Sequence, residues 1–76
     1  MNDPTPLPLE LVGQIKAARI EARLTQTELA ALASISKRPI YLLERGAGAI
    51  RVDTLIKILD ALGLELKIQP KEPHHS

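Results

Sequence analysis

One stretch of the sequence carries more positive than negative side chains. Between residues 34 and 52 there is a single acid, Glu44, and four cations, which are Lys37, Arg38, Arg45 and Arg51. Arginine and lysine donate hydrogen bonds to phosphate oxygens and to the O6 and N7 atoms of guanine. This cluster is therefore a candidate site for nucleic acid. Clusters of this size also occur on ordinary solvated surfaces, so its meaning depends on the elements that carry it.

The size and composition of the chain limit what can hold this cluster in place. Seventy-six residues form one domain, close to the lower limit at which a single core holds a fold. The sequence contains no Cys, Phe or Trp, and Tyr41 is its only aromatic residue. The core must therefore consist of Leu, Ile, Val and Ala, without disulfides or thiolate metal sites. A chain of this kind often gains burial by self-association, so we expect a homodimer.

The sequence has no motif typical of catalysis, metal binding or membrane insertion. It contains no nucleophilic Cys, no Gly-rich phosphate loop and no cluster of carboxylates, so we expect neither enzymatic activity nor a cofactor. His74 and His75 are adjacent but lack fixed partners, and they are not expected to bind a metal. No apolar run approaches the ~20 residues of a membrane span, and residues 1–6 lack the features of a secretory signal. We therefore expect a cytoplasmic protein.

Two helices are expected in the first half of the chain. The prolines at positions 4, 6 and 8 predict that residues 1–8 form a disordered N-terminal arm. Residues 9–22 have helical periodicity, and residues 25–28 read Thr-Gln-Thr-Glu, which is a capping box at the start of a second helix. The apolar stripe of the first helix is expected to consist of Leu11, Ile15, Ala18 and Ala22.

Two further helices are expected in the second half. Ser36 can cap a third helix, which the glycines after Arg45 would end. Residues 52–62 have the strongest helical periodicity in the chain, and Gly63 is placed to end that fourth helix.

The segment after the fourth helix has the pattern of a β-strand. Residues 64–69 alternate strictly between apolar and polar side chains, so we assign residues 64–70 to a strand and residues 71–76 to a flexible tail. The apolar face of this strand is too small to cover a core alone, and an unpaired edge strand invites a partner. A dimer interface is therefore expected at Ile56, Leu64, Leu66 and Ile68.

Charge selects one register for this strand pair. In an antiparallel pair around a two-fold axis beside Leu66, Glu65 would lie opposite Lys67 of the partner subunit. Axes beside Glu65 or Lys67 would instead place like charges opposite each other, which destabilises a ladder. We therefore expect the axis beside Leu66.

The second and third expected helices are short and joined by a tight link, and such a pair forms a helix-turn-helix. The second helix of such a pair enters the major groove of duplex DNA, and its N-terminal side chains face the base edges. Ile40 and Leu43 would lie on the opposite face and point into the core. The free amides at the start of the preceding helix would be available to a phosphate. The side chains expected to contact bases are those of Ser36, Lys37, Arg38 and Tyr41.

The same region carries a more specific pattern, which consists of Arg19, Leu24-Thr25-Gln26, Glu28-Leu29-Ala30, Ala33, Ser36, Ile40 and Leu43-Glu44-Arg45-Gly46. This pattern resembles a known family of DNA-binding repressors, of the lambda, Cro and Xre type. It implies an all-α fold, in which residues 9–63 form a compact four-helix DNA-binding domain. The ending over residues 55–68 is similar to that of HipB-like antitoxins, in which a last helix runs into a C-terminal dimerisation β-strand.

The resemblance also implies roles for individual residues. Arg19 and Glu44 would form a partly buried ion pair between the first and third helices. Phosphate contacts are expected from Thr25, Gln26, Thr27 and Arg45. Two of the residues expected to contact DNA also have a reading without DNA. A cation such as Arg45 at the C-terminal end of a helix stabilises that helix, and Tyr41 can simply cover the helix surface.

The sequence departs from the family pattern at three positions. Arg23 and Ser34 stand at helix-ending turns where the family usually has Gly, and a positive φ at such residues costs on the order of 1 kcal/mol. These turns are therefore expected to be slightly reshaped. Pro39 lies in the first turn of the third helix and removes one of the two amides that Ser36 could cap.

These features together predict a sequence-specific transcriptional repressor. It would bind a palindromic operator in double-stranded DNA as a homodimer and would then lie on the nucleoid. The likeness to HipB-like antitoxins adds autoregulation and a HipA-like kinase toxin as a candidate partner. Two alternatives remain open, namely a stand-alone Xre-type regulator without a toxin and a protein-interaction module that masks a partner enzyme.

Overall fold

The computed structural model describes residues 4–46, 49–67 and 70. The described chain is all-helical, with four helices and no strand. The helices are α1 (Leu9–Glu21), α2 (Gln26–Ala33), α3 (Arg38–Glu44) and α4 (Val52–Ala61). All four helices expected from the sequence are therefore present. None of the helices in these ranges is long and apolar enough to cross a membrane.

The start of α2 has the capping box that its sequence predicts. The Oγ1 atom of Thr25 accepts a hydrogen bond of 2.9 Å from the Glu28 amide, and the Glu28 carboxylate accepts one of 2.8 Å from the Thr25 amide. Two of the amides that a helix start leaves unpaired are satisfied in this way. The prediction is confirmed.

The start of α3 differs from the prediction by one residue. Ser36 does not cap the helix, and Lys37 is the N-cap, without any side-chain cap bond. The amides of Ile40 and Tyr41 both donate to the Lys37 carbonyl, at 3.0 and 3.1 Å. The reason is Pro39, which has no N–H at one of the two positions that the Ser36 hydroxyl would need.

The turns that end α1 and α2 are left-handed, although neither contains Gly. Arg23 has φ of 61° and Ser34 has φ of 58°. The amides of Arg23 and Leu24 turn back onto carbonyls of α1, at 2.9 and 3.1 Å. The expectation that these turns would be reshaped is therefore wrong, because each residue adopts the conformation that Gly would adopt, at its steric cost.

The core is aliphatic and receives residues from all four helices. Ile40 and Leu43 are buried, as predicted for the inner face of α3. On α1, Val12 and Ile15 are buried, whereas Ala22, which was predicted on the inner stripe, is exposed beyond the helix end. The core cluster comprises Val12, Ile15, Leu29, Ala30, Ile40, Leu43, Ile50, Leu55, Ile58 and Leu59.

The described part of the N-terminal arm is attached to the domain. Thr5 and Ile50 form an antiparallel β-bridge with two backbone hydrogen bonds, of 2.8 and 2.9 Å, and Leu7 packs against the core. Residues 4–8 thus differ from the disordered arm that the prolines predict. Prolines favour an extended backbone, and an extended segment can pair with another when its remaining N–H finds an acceptor.

The segment after α4 begins with a left-handed glycine. Gly63 has φ of 71°, and the Leu64 amide donates to the Leu59 carbonyl at 2.8 Å, which closes the end of α4. Residues 64–67 continue without helical or strand assignment. Ile68 and the tail from residue 71 lie outside the described residues. The dimerisation strand therefore stays a prediction.

The left-handed turn at Ser34 yields a stability test. We expect Ser34→Gly to stabilise the fold by about 0.5–1 kcal/mol, because Gly adopts this φ without a steric cost but loses more backbone entropy on folding. Ser34→Ala, which keeps the Cβ atom, is the matched control and should give no gain. Urea unfolding followed by circular dichroism measures both. Equal stability of the two variants would show that the strain at this φ is no larger than the entropic cost of Gly.

Candidate nucleic-acid interface

The fold presents one face of α3 to solvent. Ile40 and Leu43 anchor this helix in the core, and Leu42 is half-buried. The predicted base-contacting side chains are all exposed, on α3 or just before it. They are those of Ser36, Lys37, Arg38 and Tyr41. The structure thus brings all four together at the start of one short helix.

The charges at this helix start are not neutralised within the described part of the chain. Lys37 and Arg38 make no ion pair there, whereas Arg19 and Arg51 do. Cations at a helix N-terminus are also disfavoured by the helix dipole. An external anion would therefore relieve an unfavourable arrangement at this end of α3.

Tyr41 and Arg45 form a unit on the exposed face. The Nη1 atom of Arg45 donates to the Tyr41 hydroxyl at 2.7 Å, and the guanidinium carbon lies 5.4 Å from the ring centroid. The Tyr41 O–H and the other Arg45 N–H groups stay available to a phosphate. The i, i+4 spacing of these two residues was a signal for this contact, although the sequence prediction treated them separately.

A hydrogen-bonded network behind this face joins three helices. Arg19 donates to both carboxylate oxygens of Glu44, from Nε at 2.6 Å and from Nη2 at 2.9 Å. Its Nη1 donates to the Leu24 carbonyl at 2.6 Å. Only 13% of the Arg19 side chain and 4% of the Glu44 side chain are exposed. Such bidentate, shielded contacts hold the end of α3 against α1.

Gln26 completes this network from α2. Its Nε2 atom donates to Oε1 of Glu44 at 3.0 Å. One N–H of the Gln26 side chain is therefore already used, and the second N–H is left for a phosphate. The structure places Gln26 as a bridge between α2 and α3, a role that the sequence prediction did not include.

The other predicted phosphate contacts lie at the start of α2. The Thr25 hydroxyl accepts from Glu28 and keeps its own O–H for donation, and Thr27 is exposed in the first turn. Their positions agree with the expected approach of the α2 N-terminus to a phosphate, which stays a prediction.

The pKa values of the network residues follow from their contacts. Burial alone would raise the pKa of Glu44, but the hydrogen bonds from Arg19 and Gln26, together with the charges of Arg19 and Lys16, hold it below its ordinary value. The hydrogen bond to Glu44 raises the pKa of Arg19 further above its ordinary value. Both residues are therefore charged at neutral pH.

Arg51 lies beside the predicted base-contacting residues. It lines an open groove of about 300 Å³ together with Ser36 and Arg38, and its Nε is 3.5 Å from an oxygen of Asp53. The pair is more than half exposed, so it contributes little to stability. Arg51 belongs to the basic cluster of the sequence, but nothing in the local pattern indicates that it lines the same groove as Arg38.

A second exposed surface is apolar and lies along α4. Val52, Ile56, Leu64 and Leu66 are between 38% and 52% exposed, and together with Leu59 they line an open groove of about 390 Å³. Three residues of the predicted dimer interface are thus brought together, and Ile68 lies outside the described residues. We call this surface the α4 groove.

The sequence matches one model in a comparison with known protein families. A family model described as helix-turn-helix, of the Cro and lambda repressor type, matches residues 15–68. The chain belongs to this helix-turn-helix family. The match covers more than two thirds of the sequence and includes α2 and α3, of which α3 carries the exposed cationic face. No curated protein matches the sequence significantly.

Membership of the helix-turn-helix family establishes a general role. Its members are DNA-binding regulatory domains and are generally not enzymes. Within residues 4–46, 49–67 and 70, no group of His, Cys, Asp or Glu side chains could hold a metal ion.

The pKa of Glu44 predicts how stability depends on pH. Because folding lowers this pKa from its ordinary value of 4.5, the network stabilises the fold at neutral pH, and this contribution is lost as the pH falls through and below about 4.5. We expect Glu44→Gln to be less stable than the parent at neutral pH but to lose less stability on acidification. Urea unfolding at neutral pH and near pH 4 measures both effects. Equal losses in the two proteins would exclude Glu44 as the source.

Proposed function

We propose that this chain is a sequence-specific transcriptional repressor that binds a palindromic DNA operator as a homodimer. The observation that carries the proposal is the cationic start of α3, which makes no ion pair within residues 4–46, 49–67 and 70 and lies opposite the buried side chains of Ile40 and Leu43. A short helix anchored on one face and cationic on the other fits the major groove. Lys37 and Arg38 are then the readers of base edges, with Ser36 and Tyr41 beside them.

Contacts to the DNA backbone would fix the position of this helix. We assign them to the start of α2, at Thr25, Gln26 and Thr27, and to Arg45 at the end of α3. Phosphate contacts orient a protein on the duplex, whereas base contacts select the sequence. Since Glu44 ties α3 to both α1 and α2, these two groups of contacts belong to one rigid unit.

The α4 groove supports self-association. Its apolar side chains are between 38% and 52% exposed and line one groove, and a contiguous apolar patch of this kind marks an interaction site. The backbones of Glu65, Leu66 and Lys67 form no hydrogen bond within the described part of the chain, so they are free to pair as an edge strand. A second copy would cover both the groove and the strand edge.

We further propose that the repressor is the autoregulating antitoxin of a HipA-type pair. The similarity of residues 55–68 to HipB-like antitoxins supports this role. Exposed apolar side chains at Ile20 and Leu32, which line neither of the two grooves, offer additional surface to a protein partner. A neighbouring reading frame for a kinase-like protein would favour this role over that of a stand-alone regulator.

Selection of bound fragments from random duplex DNA tests the main proposal. We expect the purified protein to enrich a motif with two-fold symmetry, because a symmetric dimer presents two identical α3 helices. An asymmetric motif would contradict the dimeric arrangement. Recovery of no motif would favour the alternative in which the fold only masks a partner protein.

Substitutions at Arg38 and Arg45 separate base reading from phosphate binding. We expect Arg38→Ala to cost about 1–3 kcal/mol at the preferred operator and to relax specificity at one base position. Arg45→Ala should weaken all sequences alike and reduce the log–log salt slope by about 0.9 for each lost phosphate contact. Fluorescence anisotropy with labelled duplexes over a salt series measures both, and Lys57→Ala, an exposed lysine of α4, is the control. A uniform loss for Arg38→Ala would contradict its role as a base reader.

Charge reversal tests the strand pair of the dimer. With the two-fold axis beside Leu66, Glu65 faces Lys67 of the partner subunit, so Glu65→Lys and Lys67→Glu should each weaken the dimer and together restore it. Sedimentation equilibrium measures the dissociation constants. A double variant no stronger than the single ones would refute this register. A chain ending at Gly63 that still sedimented as a dimer would place the interface on α4 alone.

A further inference from the structure

Two hydrogen bonds join Tyr41 and Arg45 at the end of α3. The Arg45 amide donates to the Tyr41 carbonyl at 3.2 Å, and Nη1 of Arg45 donates to the Tyr41 hydroxyl at 2.7 Å. The guanidinium carbon lies 5.4 Å from the ring centroid. The backbone and the side chain of Arg45 are thus both attached to the same residue. These contacts restrain the guanidinium although Arg45 is exposed.

The chemistry of the two groups fixes the direction of the Tyr41 hydrogen. A guanidinium has no acceptor, so the Tyr41 oxygen is the acceptor in this bond, and its own hydrogen points away from Arg45. A hydroxyl that accepts from a cation is polarised and donates more strongly. The groups that stay free are the Tyr41 O–H and the other N–H groups of Arg45, which are all donors.

No acid in the part of the chain that the structure describes occupies these donors. The carboxylate of Glu44, next to Arg45 in the sequence, is already bonded to Arg19 and Gln26. Arg45 makes no ion pair among the described residues, and neither it nor Tyr41 has a further side-chain partner there. A positive charge beside a hydroxyl donor suits an anion with several oxygen acceptors, and a DNA phosphate is such an anion.

The position of this pair along α3 suits a contact to the DNA backbone. The distance from position 38 to position 45 is about 10 Å along a helix axis. The major groove is about 12 Å wide. A helix whose start faces the base edges therefore brings its other end close to the phosphates that border the groove.

We propose that Tyr41 and Arg45 form a clamp for a single DNA phosphate. Arg45 supplies the charge and orients the Tyr41 hydroxyl, whose hydrogen then bonds to a second oxygen of the same phosphate. Tyr41 in turn restricts the guanidinium, so less side-chain entropy is lost on binding. The inference rests on the proposed phosphate contact of Arg45, and it assigns Tyr41 to the DNA backbone rather than to the base edges.

Tyr41→Phe tests the clamp, because it removes the hydroxyl and keeps the ring under the guanidinium. We expect operator and random-sequence duplex to be bound more weakly by the same factor, roughly three- to tenfold for each subunit. The salt slope should stay unchanged, since the lost group is uncharged. Fluorescence anisotropy over a salt series measures both quantities, with Lys57→Ala as the control. A loss confined to the operator, or no loss at all, would overturn the proposal.

Operators with one neutralised phosphate test whether both residues bind the same group. A methylphosphonate replaces one charged phosphate oxygen by a methyl group, and a series of selected operators carries it at successive positions. We expect one position in each half-site where both Tyr41→Phe and Arg45→Ala change affinity by no more than about twofold, because their shared partner is impaired.

The same series separates failure of the clamp from failure of the proposed function. If Arg45→Ala lost its effect at one phosphate and Tyr41→Phe at another or at none, the clamp would be overturned and the Arg45 contact would stand. If Arg45→Ala lost its effect at no position, the proposed phosphate contact of Arg45 would itself be wrong.

Discussion

The bidentate contact between Arg19 and Glu44 determines how α3 lies on the domain. This helix has only seven residues, and a helix of that length is not stable without tertiary contacts. Two buried side chains anchor its inner face, and Glu44, its last residue, connects it to α1 through Arg19 and to α2 through Gln26. Removal of one partner would leave a shielded charge without compensation, which is more costly than never having had the pair. The orientation of the exposed cationic face of α3 therefore depends on a contact made behind that face.

Local signals predicted the helices, whereas contacts between residues distant in sequence were not predictable from local patterns. The capping box at Thr25 and Glu28 depends on four consecutive residues, and its geometry agrees with the prediction. The start of α3 was wrong by one residue because Pro39 competes with a nearby Ser signal. Burial of Val12 was missed because the apolar residues of α1 are spread around the helix. The Thr5–Ile50 bridge joins residues far apart in the sequence, and no local pattern indicates it.

The candidate site was predictable to a similar extent. Residue types and spacing placed Lys37 and Arg38 at an exposed helix start, and the family resemblance paired Arg19 with Glu44. The bond from Gln26 to Glu44 and the proximity of Arg51 to Arg38 depend on how three or four segments pack together. The strand pair of the proposed dimer is formed between two chains, so a single chain does not display it. The main support for this strand pair is the alternation of apolar and polar side chains over residues 64–69.

The position of Tyr41 gives the molecule an unusual optical property. Because the sequence contains no Trp and no other Tyr, all of its near-ultraviolet absorption and intrinsic emission comes from this one residue on α3. The core, which is aliphatic, contributes nothing to either signal. The ring lies under the guanidinium of Arg45 and its hydroxyl accepts a hydrogen bond from that group. The intrinsic signal of unlabelled protein therefore reports on the exposed face of α3 alone, free of background from the interior.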